Sequence, residues 1–166
     1  MLFSAFLITT GCGQLAASQN NSDAAKSSTV REEMNNSDRG LIKVSSPYSV
    51  TETSDRLEQI ISEKSLTLFT RIDHSLNAQK AGLELQPTQL LIFGNPKVGT
   101  PLMNCSTTTA INLPQKFLVM QDDNQQTQII YNSPQYLQQR HNFTGCEEVL
   151  NKVSDVLKDI ADSAID

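Results

Sequence analysis

LTLFTRIDHSLNAQKAGLELQPTQLLIFGNPKVGTPLM, residues 66–103, holds the pattern on which the fold turns. Leu66 to Ile72 alternates well enough for a strand. His74 to Ala81 reads as a short helix closed by Gly82, where a left-handed residue is favoured. Thr88 to Phe93 is a second strand, and its unbroken apolar run places it inside the sheet. Thr100-Pro101 is a cap residue followed by proline, a pairing that starts helices, so the spacing predicts a short helix over LMNCS.

The flanking sequence extends this alternation. Upstream, GLIKV (residues 40–44) has strand character. Ser49 and Glu52 have capping-box spacing, and Val50, Leu57, Ile60 and Ile61 follow at helical intervals. Downstream, Lys116–Gln121 and Thr127–Asn132 flank Asp122-Asp123-Asn124, which predicts a hairpin. Ser133-Pro134 opens a helix through Arg140. Val149, Leu150, Val153, Val156, Leu157 and Ile160 make an apolar stripe on a last helix. Strands mixed with helices, and a hairpin near the end, predict an α+β two-layer sandwich. Its sheet is mixed or antiparallel, of about five strands, with helices on one face.

The first forty residues have another texture. MLFSAFLITTGC is apolar from Leu2 to Ile8, a run too short to span a bilayer as a helix. It has the form of an export signal, and Thr10-Gly11-Cys12 resembles the lipobox of bacterial lipoproteins, in which the cysteine is lipidated. Thr9 stands where leucine is usual, and no Lys or Arg precedes the apolar run; a start upstream of Met1 would supply one. Residues 13–39 are rich in Ser, Asn, Gln and Ala with few large apolar side chains, the composition of a flexible tether. The expected organisation is a signal segment over 1–12, a polar tether over 13–39 and one α+β domain over 40–166. The expected location is the cell envelope, on the periplasmic side in a Gram-negative host, with the membrane as a partner through an N-terminal lipid.

Composition excludes some classes. The 166 residues carry a net charge of −5 and no tryptophan, and aromatics make up 5%. A basic footprint and a base-stacking platform are both absent, so nucleic acid is not an expected partner.

Three stretches carry a resemblance: residues 68–103, then INLPQKFLV (111–119), then IIYNSPQYLQQRH (129–141). They resemble the bacterial domain of unknown function 302 family. That resemblance implies a two-layer α+β sandwich. The family has no established activity, so the resemblance carries no reaction. One position departs from its pattern: Asn112 stands where the family usually has aspartate. A proton-transfer role for that aspartate would be lost here, whereas a turn or cap role is served equally by asparagine.

The glycine loop Gly94-Asn95-Pro96-Lys97-Val98-Gly99-Thr100 invites comparison with a phosphate-binding loop. The nucleotide motif needs lysine directly after its second glycine, and Thr100 stands there instead. Pro96 also removes one N–H from any cradle. A weaker reading survives, in which free N–H groups at a helix start hold a small anion or carboxylate, with Asn95, Lys97 and Thr100 adding contacts. Against it stands a strand-to-helix turn whose glycines serve the backbone.

Asp73-His74 follows Arg71 at a strand end, and His141 follows Arg140 at a helix end. If the strands ending at Ile72 and Phe93 ran parallel, Arg71, Asp73, His74, Asn95 and Lys97 would share one edge of the sheet. The plainer reading is that Asp73 caps the next helix. Cys105 and Cys146 form a disulfide pair in an exported protein, or, with Met103, His74 and His141, ligands for a soft metal such as copper. No spacing among them is diagnostic, no cofactor loop is present, and Cys105 alone also reads as a small apolar residue on a short helix.

Three functions follow, in order. The first is an envelope accessory module binding a small anionic ligand or metabolite near Gly94–Thr100. The second is a self-associating domain, a homodimer through the sheet or the last helix. The third is a hydrolase or redox enzyme using Asp73, His74 and His141, which lacks an accompanying nucleophile or oxyanion signature.

Overall fold

The computed structural model describes residues 40–166. The lipobox, Cys12 and the polar tether lie outside the described residues. Five strands, β1 (Leu41–Ser46), β2 (Thr67–Asp73), β3 (Thr88–Gly94), β4 (Gln115–Gln121) and β5 (Thr127–Asn132), form one sheet in the order β1-β5-β4-β3-β2. Every neighbouring pair is antiparallel. The helices are α1 (Val50–Glu63), α2 (His74–Lys80), α3 (Pro96–Cys105), α4 (Pro134–His141) and α5 (Glu147–Ser163), with a 3-10 turn over Thr107–Ile111. The fold is the expected α+β sandwich, and the choice between mixed and antiparallel resolves to antiparallel.

Helix starts follow cap chemistry. Ser49 Oγ accepts from the Glu52 N–H at 3.2 Å, Asp73 Oδ1 from Leu76 N–H at 2.8 Å, and Ser133 Oγ from Tyr136 N–H at 3.4 Å. Each satisfies an otherwise orphaned helical donor. α2 ends with Gly82 at φ +74°, the left-handed position that glycine takes without strain.

One face of the sheet carries the core. Phe93 stacks on Phe117 with ring centroids 4.9 Å apart, and Phe117 meets Tyr131 edge-on at 5.3 Å. These rings bridge β3, β4 and β5, and Leu57 and Ile61 of α1 and Leu150, Val153, Leu157 and Ile160 of α5 bury against the same cluster. The stripe on the last helix is therefore largely spent on the core, which removes most of it as a dimer interface. On the other face the register aligns Ile72, Leu90, Leu118 and Ile130 in one row across four strands. None of the four belongs to the core cluster.

One boundary differs from expectation. The helix after β3 begins at Pro96, capped by Asn95, and not at Thr100-Pro101. Pro101 lies inside the helix and lacks the N–H that would reach the Lys97 carbonyl. Both prolines follow a capping residue; the earlier pair starts the helix.

Candidate functional site

The antiparallel pairing of β2 with β3 decides which residues meet. Asp73 lies opposite Gln89 while Gly94 lies opposite Thr67, so the two strand ends are about 20 Å apart at the usual rise per residue. The pocket expected from Arg71, Asp73, His74, Asn95 and Lys97 is therefore not assembled. Its premise, parallel strands, does not hold.

Arg71 and Asp73 form part of a structural corner, and His74 is the first residue of α2. The Arg71 guanidinium donates to Gln89 Oε1 at 3.0 and 2.7 Å and pairs with Asp55 and Glu58 of α1. Gln89 Nε2 donates to Asp73 Oδ2 at 3.0 Å, and Ser75 Oγ donates to Asp73 Oδ1 at 2.7 Å. The Leu76 N–H, then the Ser75 hydroxyl, hold the Asp73 carboxyl below the usual aspartate range. Asp73 is thus the cap of α2, with both carboxylate oxygens hydrogen-bonded.

The glycine loop is equally committed at its backbone. Asn95 Oδ1 accepts from Lys97 N–H at 2.9 Å, and the Asn95 carbonyl accepts from both Val98 and Gly99 N–H at 2.9 Å. Pro96 has no N–H to offer. The free helix-start donors expected for a small anion are therefore already bonded. Nor do Gly94 and Gly99 serve a special backbone conformation, since neither has a positive φ. What they supply is space. A Cβ at Gly99 would meet only Leu113 Cδ1 at 3.9 Å, and one at Gly94 would meet Pro114 Cβ at 3.5 Å.

That space is a cleft of about 320 Å³. Gly94, Asn95, Gly99 and Thr100 line it, with Val98, Leu102 and Met103 of α3 on one wall and Val153, Val156 and Leu157 of α5 on another. Phe69 of β2, Leu113-Pro114 and Lys152 of α5 also line it. Phe69 is 53% exposed and Val156 37% exposed, so apolar surface reaches the rim. Lys97 lies outside this cleft, in an adjoining depression. Sequence reasoning found the loop but missed the α5 wall. The signal was available: Val149, Val153 and Val156 widen the stripe of α5 beyond what one core-facing edge requires.

The two cysteines form a disulfide, Cys105–Cys146, with Cα atoms 6.4 Å apart. Cys105 is therefore a half-cystine and not a lone apolar side chain. The pair is also spent as a source of thiolates for the soft-metal reading, and His74 and His141 stand on different elements, α2 and α4. The bond joins the last residue of α3 to the residue that opens α5. It ties the two walls of the cleft at one end.

His141 lies in a cluster that separation along the chain concealed. Its Nε2 is 2.7 Å from Asn112 Oδ1, and its Nδ1 is 2.9 Å from Thr108 Oγ1, which is 2.9 Å from Ser106 Oγ. With the Nε2 proton donated to the asparagine oxygen, Nδ1 accepts from the Thr108 hydroxyl. Lys116 Nζ donates to the carbonyls of Asn112 and Pro114 at 3.1 and 2.8 Å, and burial pulls its pKa below the usual lysine range. The cluster stitches the 3-10 turn to α4, and position 112, where the chain departs from the pattern it resembles, is the histidine's partner.

Comparison with known proteins places these features. At 41% identity over 115 residues, the chain is similar to the fluoride-specific ion channel FluC 1 of Brucella suis biovar 1, with 69% of this chain and 45% of that one covered. The fluoride-specific ion channel FluC 2 of Brucella melitensis biotype 1 matches at the same identity, with 43% of its length covered. The chain thus spans less than half the length of the curated relatives it matches. Among solved structures, an uncharacterized conserved protein DUF302 from Bacillus stearothermophilus superposes with a TM-score of 0.68. The match covers 75% of this chain and 98% of that one at 21% identity, which speaks for the fold. The family model described as "Domain of unknown function DUF302" matches residues 42–160, nearly the whole described domain, and the chain belongs to that family.

Proposed function

We propose that the protein is an accessory binding module of the cell envelope that takes a small apolar ligand in the cleft between α3 and α5. The cleft carries this reading. Its volume of about 320 Å³ falls at the lower end of the ~300–1,000 Å³ range of ligand sites, and its walls are mostly apolar. Exposed apolar side chains at its rim, Phe69 and Val156, suit an apolar occupant, since such surface in water is costly. The loop Gly94–Thr100 belongs to this site as a wall. Both Asp73 carboxylate oxygens are engaged, one by the cap and one by Gln89, which disfavours Asp73 as a proton-transfer group.

The disulfide supports an exported location, because such bonds persist in oxidising compartments. Lipid tethering through Cys12 remains part of the proposal. Labelling cells with a fatty-acid analogue tests it: label should appear on the parent chain and vanish from Cys12→Ser, and label persisting on the variant would sink the idea.

The cleft is tested with aliphatic alcohols of increasing chain length, followed by methyl NMR. Shifts of Leu102, Leu113, Val153 and Val156 that saturate, at affinities rising with chain length, are expected. No methyl shift with any alcohol would remove the reading.

Two other readings have one observation each. The row Ile72–Leu90–Leu118 on the sheet face away from the core is half-buried, and its remaining apolar surface favours self-association through the sheet; sedimentation showing only monomer at high concentration would remove that reading. The named relatives favour a module that accompanies an ion channel. No helix among the described residues is long and apolar enough to cross a membrane, so a channel's helical span would come from elsewhere. Expression in a fluoride-sensitive bacterium tests this, and unchanged growth in fluoride would argue against it.

A further inference from the structure

The apolar cleft has one charged residue in its lining, Lys152 of α5. Lys152 and Val98 also line the adjoining depression of about 370 Å³, so these two residues border both spaces. Lys97 lines that second space together with Glu148. Neither Lys97 nor Lys152 forms an ion pair among the described residues, although other lysines do, Lys64 with Asp159 and Lys158 with Asp162. Glu148 sits one turn before Lys152 on α5, the spacing at which such pairs meet, yet the two do not close. Lys97 stands in the first turn of α3, where the helix dipole disfavours a cation and adds to its positive field. Two ammonium groups and one carboxylate leave one net positive charge on a chain whose overall charge is −5.

We propose that the ligand is a single-chain amphiphile with one anionic end, of the carboxylate class, its chain in the apolar cleft and its carboxylate on the shoulder between Lys97 and Lys152. This rests on the cleft reading above and names its ligand class. The chain length follows from the space. At ~30 Å³ per water-sized heavy atom, 320 Å³ holds roughly ten carbons. The carboxylate keeps its contact with water on the exposed shoulder, so it avoids the cost of burying a charge. The carbons leave water, which drives binding. The lysines then select the end group and the cleft selects the chain.

The test uses three probes of equal chain length, decanoate, 1-decanol and decylammonium, titrated calorimetrically into the oxidised protein below their aggregation concentrations. Decanoate should bind best, roughly fivefold tighter than decanol, the size of one partly exposed ion pair, and decylammonium should bind worst. The preference should shrink as salt is raised. In the double variant Lys97→Gln, Lys152→Gln the decanoate-to-decanol ratio should fall to about one. Equal binding of all three probes by the parent chain would overturn the carboxylate assignment and leave the cleft reading standing. Binding of none would overturn both. A ratio unchanged in the double variant would overturn the assignment to these lysines.

Discussion

Asn112 Oδ1 lies 2.7 Å from His141 Nε2, so the residue singled out in the sequence as standing in place of an aspartate touches one of the chain's two histidines. An asparagine oxygen orients the imidazole without adding a charge. Asn112→Ala removes that oxygen and leaves the Nε2 proton without its partner, so it should cost about 1 kcal/mol of stability. Urea melts of both chains check it, and equal midpoints would mean that the contact is not kept in solution.

Asp73 makes an opposite case. Its carboxyl is held below the usual range chiefly by the Leu76 N–H, and it caps α2. Asp73→Ala should cost about 1 kcal/mol at pH 7, while Asp73→Asn, which keeps the accepting oxygen, should cost much less. A depressed folded-state pKa means that the stabilisation is present at neutral pH and fades as pH falls below about 4. The gap between parent and Asp73→Ala should therefore narrow in urea melts toward pH 3. A gap independent of pH would show that the charge has no part in the cap.

The caps show what a sequence reveals. Ser49, Asp73 and Ser133 were legible because a cap is a local contract between a side chain and an N–H two or three residues on. The start of α3 was not, because Asn95-Pro96 and Thr100-Pro101 carry the same local signal and packing against α5 is not local. Strand direction escaped for the same reason: β2 and β3 read alike whether parallel or antiparallel, and that choice separated Asp73 from Gly94. The cleft draws on β2, α3, the Leu113-Pro114 segment and α5, and Phe69 and Val156 are far apart along the chain. Its local traces are the widened stripe of α5 and the glycines at 94 and 99, neither of which has a conformational need to be glycine.

The disulfide closes a loop with a sequence separation of 41. In the chain-entropy model such a loop contributes about 4 kcal/mol, and measured values run from ~2 to ~4. Reduction, or Cys105→Ala with Cys146→Ala, should lower the urea midpoint accordingly. Because the bond ties the end of α3 to the start of α5, it should also weaken decanol binding in chains that remain folded. Decanol affinity equal in both forms would show that the staple serves stability alone.

Gly99→Leu separates stability from binding. Gly99 sits within α3 at an ordinary helical φ, so replacing it should remove glycine's helix penalty and stabilise the fold by up to about 1 kcal/mol. A Cβ there meets nothing closer than 3.9 Å, so the new side chain can enter the cleft. The variant should melt later and bind decanol at least tenfold more weakly, because the leucine's four carbons take space that the ligand's chain needs in a close-packed site. Most substitutions that abolish binding also loosen the fold, so a rise in stability with a loss of affinity is diagnostic of a filled site. A stabilised variant that binds as the parent does would place the ligand elsewhere. A destabilised one would mean that Gly99 is needed for the approach of Leu113 and not for open space.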